Sequence, residues 1–288
     1  MRGIILAAGK GTRMYPMTLP VLKPLLPVYD KPMIYYPLST LMAAGIREIL
    51  IITPLGRKAP FQELFGDGSK LGMKIVYREQ AVQRGIADAF LIGEEFIGLS
   101  DVILALGDNI FHGEKMNQAI EKSMAENIGG GIFGLEVEDP RAFGVLGFDE
   151  EGRVSSIEEK PQNPKSNFIV PGLYVYKNDV VDFAKELTPS QRGELEITDI
   201  NQRYLQEGRL KVTRLESGTL WMDAGSADTL LKSAEHIKEI QSHNGLVGSI
   251  ELAAYEQGWI DATQLGWLGE DLAKTNYGQL LIQRAMEG

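Results

Sequence analysis

Short apolar runs alternating with helix-like stretches fill the first hundred or so residues and restrict the fold more than any other feature. Ile4 to Ala7, Glu48 to Thr53, Met73 to Arg78 and Val102 to Leu106 read as strands. Met33 to Ala44, closed by Gly45, and Ile86 to Phe96 read as helices. Near-continuous hydrophobic strands alternating with helices are what a parallel sheet covered on both faces requires, so the expected class is α/β. Between Gly130 and Tyr176 the rhythm changes to short β-like runs broken by Gly and Pro, at Gly144 to Phe148, Val154 to Glu159 and Ile169 to Tyr176. That segment reads as a β-rich insertion or sheet extension. From Ala227 onward Leu230, Leu231, Ala234, Ile237 and Ile240 recur at helix-face spacing, predicting a helical end that covers the core or an oligomer interface. No repeat, low-complexity tract or linker divides the chain, so one domain over 1–288 is expected, with a core over 1–226 and a helical extension over 227–288.

Composition narrows the function classes. The 288 residues suffice for a full core, and 44% hydrophobic with 24% charged residues excludes a disordered or fibrous chain. The 39 acidic residues outnumber the 29 basic ones, for a formal charge of −10 that disfavours broad nucleic-acid binding. With no cysteine there is no disulfide, zinc-thiolate site or thiol nucleophile. No apolar run reaches membrane-spanning length, and the run at the N-terminus is too short for a secretory signal. The expected location is cytoplasmic, with no membrane partner.

The segment Leu6-Ala7-Ala8-Gly9-Lys10-Gly11-Thr12-Arg13 follows the first strand directly. Small residues there let backbone N–H groups converge on an anion such as a triphosphate. It is not a P-loop, because Ile4 stands at the first Gly position and Gly11 replaces the hydroxyl residue after Lys10. Nor is it a dinucleotide fingerprint, because Met14 occupies the third Gly position, which disfavours a dinucleotide-dependent oxidoreductase. Ten residues after Arg13, Lys23 sits in the Pro-stiffened run Leu22-Lys23-Pro24-Leu25-Leu26-Pro27, where with Arg13 it could offset charge developing on phosphates. Asp108 follows the apolar strand 102–106 and Asp223 follows Leu220-Trp221-Met222. In open α/β sheets ligands gather outside the carboxyl ends of strands, which is where Gly9 to Arg13 and Asp108 are expected.

The Gly-rich turn with Lys23-Pro24-Leu25-Leu26-Pro27 resembles the signature of the sugar-phosphate nucleotidyltransferases. Further blocks strengthen the resemblance: Tyr29 to Met42, Leu106 to Phe111, Glu159-Lys160-Pro161, Pro164 to Asn167, Arg192 to Asn201 and Trp221 to Gly225 are similar to the thymidylyltransferase branch, in colinear order to about residue 285. The resemblance implies a Rossmann-like three-layer fold and attack by a glucose-1-phosphate oxygen on the α-phosphorus of dTTP, giving dTDP-glucose and pyrophosphate, the entry step to dTDP-deoxysugars. It implies Mg²⁺ held by Asp108 and Asp223, with Arg13, Lys23 and Asp108 catalytic. Leu6, Ala7, Ala8, Gly9, Gly11, Thr12, Arg13, Lys23 and Asp108 would line the nucleotide, with Gln80 and Gly85 at its base. Gly144, Glu159, Lys160, Val170 and Arg192 would hold the sugar phosphate. A homotetramer with a dTDP-sugar feedback effector is implied as well.

Several residues depart from that pattern. Ala8 and Lys10 replace the usual Gly and Ser, and Pro24 stands where Gln is common. Gln83-Arg84-Gly85-Ile86-Ala87-Asp88 differs from the usual Pro-Asp-Gly-Leu-Ala-Gln and adds the cation Arg84, while His112 replaces a Tyr. UTP or another sugar phosphate therefore stays open, as does an inactive nucleotide-sugar sensor. His112, His236 and His243 have no spacing that suggests a metal cluster; Trp221 is expected beside Asp223, and Trp259 and Trp267 as helix anchors.

Overall fold

The computed structural model describes residues 1–216 and 219–288. In chain order its elements are β1 (Arg2–Leu6), β2 (Pro27–Val28), β3 (Lys31–Pro32), α1 (Tyr35–Ala43), β4 (Glu48–Pro54), α2 (Ala59–Phe65), β5 (Lys74–Gln80), α3 (Asp88–Ile92), α4 (Glu94–Ile97), β6 (Val102–Leu106), β7 (Asn109–His112) and α5 (Glu114–Glu126). The second half adds β8 (Gly130–Glu136), β9 (Gly144–Phe148), β10 (Val154–Glu159), β11 (Phe168–Val170), β12 (Leu173–Tyr176), α6 (Val180–Glu186), α7 (Ile197–Gln206), β13 (Leu210–Arg214) and β14 (Leu220–Asp223). It closes with α8 (Ala227–Asn244), α9 (Ile250–Glu256), α10 (Ala262–Glu270) and α11 (Asn276–Glu287).

Among the described residues one sheet holds ten strands, ordered β10-β9-β11-β8-β12-β6-β1-β4-β5, with β13 beside β8. Strands β6, β1, β4 and β5 run parallel, as the alternation of apolar runs and helices requires. Beyond β6 the sheet is antiparallel through β12, β8, β11, β9 and β10, so the β-rich segment extends the sheet. Period-two geometry sends Ile5, Ile49, Ile51 and Ile103 to one face, against Leu38 and Leu41 of α1 and Ile250 of α9. Ile4, Leu50, Ile52 and Leu104 pack on the other, against Phe90 of α3 and Ile197 and Ile200 of α7. Each such side chain, fully buried, contributes about 1.5–3 kcal/mol, and the result is a three-layer α/β fold.

Strands β1, β4 and β5 differ from expectation by one or two residues at their ends, and three elements differ for a structural reason. The first helix begins at Tyr35 because Met33 and Ile34 donate their backbone N–H groups to Leu26 and Pro24 in the preceding loop. The helix expected over 86–96 is two, α3 and α4, parted at Gly93. That residue is pressed onto the sheet so closely that a Cβ would lie 2.9 Å from the Ala89 carbonyl and 3.1 Å from Ile4. The strand expected over 169–176 is also two, because Pro171 cannot donate to a ladder and β12 moves to a new partner, β6. No helix among the described residues is long and apolar enough to cross a membrane.

Candidate active site

The carboxyl ends of the parallel strands carry the site, starting from the glycine turn. After β1, Ala7 and Ala8 are buried, and the Ala7 N–H donates to the Ile52 carbonyl. Gly11 then takes the left-handed conformation, φ +62°, where a Cβ would meet both Lys23 and Thr18 at 3.1 Å. Only glycine serves both demands. The chain turns back through a short helical turn at Thr12–Met14, and Thr18 Oγ1 closes the loop on the Gly11 carbonyl at 2.7 Å. Arg13 thereby reaches a cavity of about 460 Å³ shared with Asp108, Asp223, Glu159 and Lys160.

Lys23 is almost wholly buried, and its ammonium donates to Asp108 Oδ2 at 2.5 Å. Asn109 Nδ2 donates to the other Asp108 oxygen at 3.0 Å, and Trp221 Nε1 fixes that amide by donating to Asn109 Oδ1 at 2.7 Å. Trp221 also packs edge-on against Phe143, so its contact is with the Asn109 amide and Phe143. The β7–β14 ladder pairs Asn109 with Asp223, which brings the second carboxylate to Asp108 from more than a hundred residues away. Burial, then the Asp108 charge, raises the Asp223 pKa above the ordinary carboxylate value, against lowering by Lys23 and Arg13. No described residue donates a hydrogen bond to the Asp223 carboxylate. Its oxygens instead lie where a Cβ on Gly225 would fall, 2.6 Å away at the nearest. Two facing carboxylates, one with no donor of its own, fit a hard divalent cation that keeps water and phosphate oxygens as its remaining ligands. Among the described residues no cluster of three or more His, Cys, Asp or Glu side chains could cage a metal.

The far end of the cavity is built by the sheet extension. Register places Gly144 opposite Glu159 on β10 and opposite Val170 on β11, so three expected residues meet at one point. Thr198 Oγ1 donates to Glu159 Oε2 at 2.6 Å, while the Lys160 ammonium and the Arg192 guanidinium stand 3.5 Å from Oε1. Lys160 has φ +46°, a strained conformation held by its N–H on the Phe143 carbonyl. Arg192 lies outside the cavity wall and pairs more tightly with Glu196, at 2.8 Å, than with Glu159.

Gln80 and Gly85 do not line the cavity. Gln80 ends β5 with its side chain buried, and its Nε2 donates to Asp88 Oδ2 at 2.8 Å. Gly85, at φ +100°, abuts the Leu195 backbone, which explains the glycine by chain packing. Gln83 spans from this loop to the Ala8 carbonyl and joins it to the glycine turn. Thr198, Asn201, Tyr174 and Phe143 also line the cavity and were not singled out from sequence. Thr198 and Asn201 sit in the block 192–201, and their i, i+3 spacing on α7 was the available signal. In the helical end Trp259 packs onto the core, whereas Trp267 is 61% exposed and lines a surface groove with Trp259, Ser69 and Lys70.

Comparison with known proteins shows the family of the chain. Residues 2–240 match the nucleotidyl transferase family. A glucose-1-phosphate thymidylyltransferase of Neisseria meningitidis is 49% identical over 98% of this chain and 99% of its own. One from Mycobacterium tuberculosis is 49% identical over 98% of each. A solved Bacillus anthracis structure assigned as a glucose-1-phosphate thymidylyltransferase, in complex with sucrose, is 38% identical, with TM-score 0.76 over 82% of this chain and 94% of that one. A UDP-glucose pyrophosphorylase complexed with UDP-glucose, 23% identical, shares the fold with TM-score 0.73 over 83% of this chain and 98% of its own.

Proposed function

Because the chain belongs to the nucleotidyl transferase family, we propose that it transfers the thymidylyl group of dTTP to glucose-1-phosphate, giving dTDP-glucose and pyrophosphate. The observation that carries this reading is a single cavity lined by Arg13, Asp108 and Asp223 together with Gly144, Glu159, Lys160 and Val170, with Lys23 bonded to Asp108 behind its wall. Both substrates are anions. At an effective dielectric of about 20, two unit charges about 4 Å apart repel by about 4 kcal/mol, so cations must offset several such contacts before in-line attack. Arg13 and Lys23 supply fixed positive charge for the triphosphate and the departing pyrophosphate. The glycine turn from Ala8 to Thr12 adds backbone N–H groups in the same role, the Ala7 N–H being taken by the Ile52 carbonyl. Glu159 accepts from sugar hydroxyls, Lys160 holds the sugar phosphate, and Arg192 braces Glu159 and Glu196 behind them. Gln80 and the loop through Gly85 face the base. A divalent ion, Mg²⁺ in this reading, held by Asp108 and Asp223 supplies charge to phosphate oxygens.

The test is pyrophosphate release from purified protein with Mg²⁺, glucose-1-phosphate and each of dTTP, UTP, ATP, CTP and GTP, with the product identified by mass. Preferential dTDP-glucose supports the reading. A UTP preference replaces it with uridylyl transfer, for which Pro24 is the specific observation: it is buried, its carbonyl is taken by the Ile34 N–H, and its side chain offers no hydrogen bond to a nucleotide. Binding without turnover would instead leave a sensor. Both substrates are held in the cytoplasm by their charge, and the reaction is assigned there. Leu231 and Trp267, exposed on α8 and α10, support an assembly of copies through the helical end, in this reading a homotetramer open to a dTDP-sugar effector.

A further inference from the structure

Beneath the base-side loop lies a buried carboxylate that the chemistry above leaves unused. Asp88, the first residue of α3, is 1% exposed, yet both its oxygens are engaged: Oδ2 accepts from Gln80 Nε2 at 2.8 Å and Oδ1 from the Arg84 guanidinium at 2.7 Å. A carboxylate is acceptor-only, so it holds the Gln80 carboxamide in one orientation. Rotating that amide by half a turn would set its Oε1 against Asp88 Oδ2, an oxygen facing an oxygen with no proton between them. In the observed orientation Gln80 Oε1 accepts nothing from the described residues and is not sealed from solvent. Among the described residues Nε2 makes no second hydrogen bond, so the amide keeps one acceptor and one donor unspent.

We propose that Asp88 is a positioning residue for base selection: by fixing the Gln80 carboxamide it presents Oε1 to an N3–H and Nε2–H to the O4 beside it. That edge belongs to thymine and uracil. Cytosine carries the opposite edge, an N3 acceptor beside an amino donor, and would need the amide turned over. The proposal rests on the reading that Gln80 faces the base. It adds that the discrimination is set one residue behind the contact, by the Asp88 carboxylate. A buried polar group left facing a like partner is costly, which is how a hydrogen-bonding pocket rejects a near-isostere.

The experiment compares kcat and KM for dTTP and dCTP, each with glucose-1-phosphate, in the unsubstituted protein, Asp88→Asn, Gln80→Glu and the double variant. In Asp88→Asn the neighbour can either accept or donate, so both amide orientations become available. The dTTP-over-dCTP ratio of kcat/KM is expected to fall at least about tenfold, mainly through a higher KM for dTTP, with its kcat little changed. Gln80→Glu sets two carboxylates face to face and should lose dTTP use. Adding Asp88→Asn, which supplies an amide N–H to the introduced carboxylate, should recover part of it because the pair is kept with donor and acceptor exchanged. Equal losses with dTTP and dCTP in Asp88→Asn, or a double variant no better than Gln80→Glu, would overturn the proposal while leaving the activity standing. Should Asp88→Asn fail to fold, the exchanged pair alone decides the matter. No dTTP turnover by the unsubstituted protein would remove the underlying reading and this proposal with it.

Discussion

At the scale of single residues the site is a contest between burial and charge. Asp223 carries a pKa raised chiefly by burial and next by Asp108, so the folded chain binds its proton more tightly than the unfolded chain does. Stability from this group is therefore complete below the ordinary carboxylate pKa, 3.8, and is lost as pH rises through the raised value. Two outcomes follow for the cation-free protein near neutral pH. Mg²⁺ should raise its Tm, and Asp223→Asn should abolish that rise while leaving the cation-free Tm no lower; thermal melts with and without Mg²⁺ check both. Lys23, tied to Asp108 and buried, is the cation with least freedom to be replaced by solvent. Lys23→Ala is expected to cost about 10²- to 10³-fold in kcat, read from pyrophosphate release at saturating substrates. Sequence alone marked Lys23 as an oddity in an apolar loop but did not pair it with Asp108, because 85 residues separate them.

At the scale of elements, local chemistry was readable wherever one strand or turn decided it. Strands β6, β9 and β10 have the bounds that their apolar runs and flanking turn residues predict. The misses at Gly93 and at Pro171-Gly172 share a cause, since in each the backbone meets another element: Gly93 rests on Ile4 and Leu50, and a Cβ at Gly172 would lie 2.6 Å from Leu106. Gly85 belongs to the same class. Its φ of +100° and its contact with the Leu195 backbone predict that Gly85→Ala lowers stability by about 1–3 kcal/mol, measured by denaturant titration. Because Leu195 and Ala87 share a backbone hydrogen bond across this contact, the substitution should also raise KM for the nucleotide by loosening the loop that carries Gln83 to the glycine turn.

At the scale of the molecule the helical end packs into the core. Ile237 of α8 packs with Met14, Leu26 and Tyr36, and Ile250 and Ala254 of α9 pack with Leu38 and Leu41 beneath the sheet. Buried Lys31 joins Asp30 on the hairpin to Gln241 on α8, while buried Glu251 accepts from Tyr277. Deleting 227–288 should therefore leave a chain that is insoluble or lacks a cooperative melt, checked by the soluble fraction and circular dichroism. The sequence by itself determined the glycine turn, the apolar strands and the α/β class, because strand period and turn chemistry are local properties. Only the tertiary structure decided that Asp223 faces Asp108 through the β7–β14 ladder, that Gly144, Glu159 and Val170 meet at one point of the sheet, and that Gln80 is oriented by Asp88. Those contacts depend on register between distant strands and on loops docked across the sheet, which are set by the packing of the whole core.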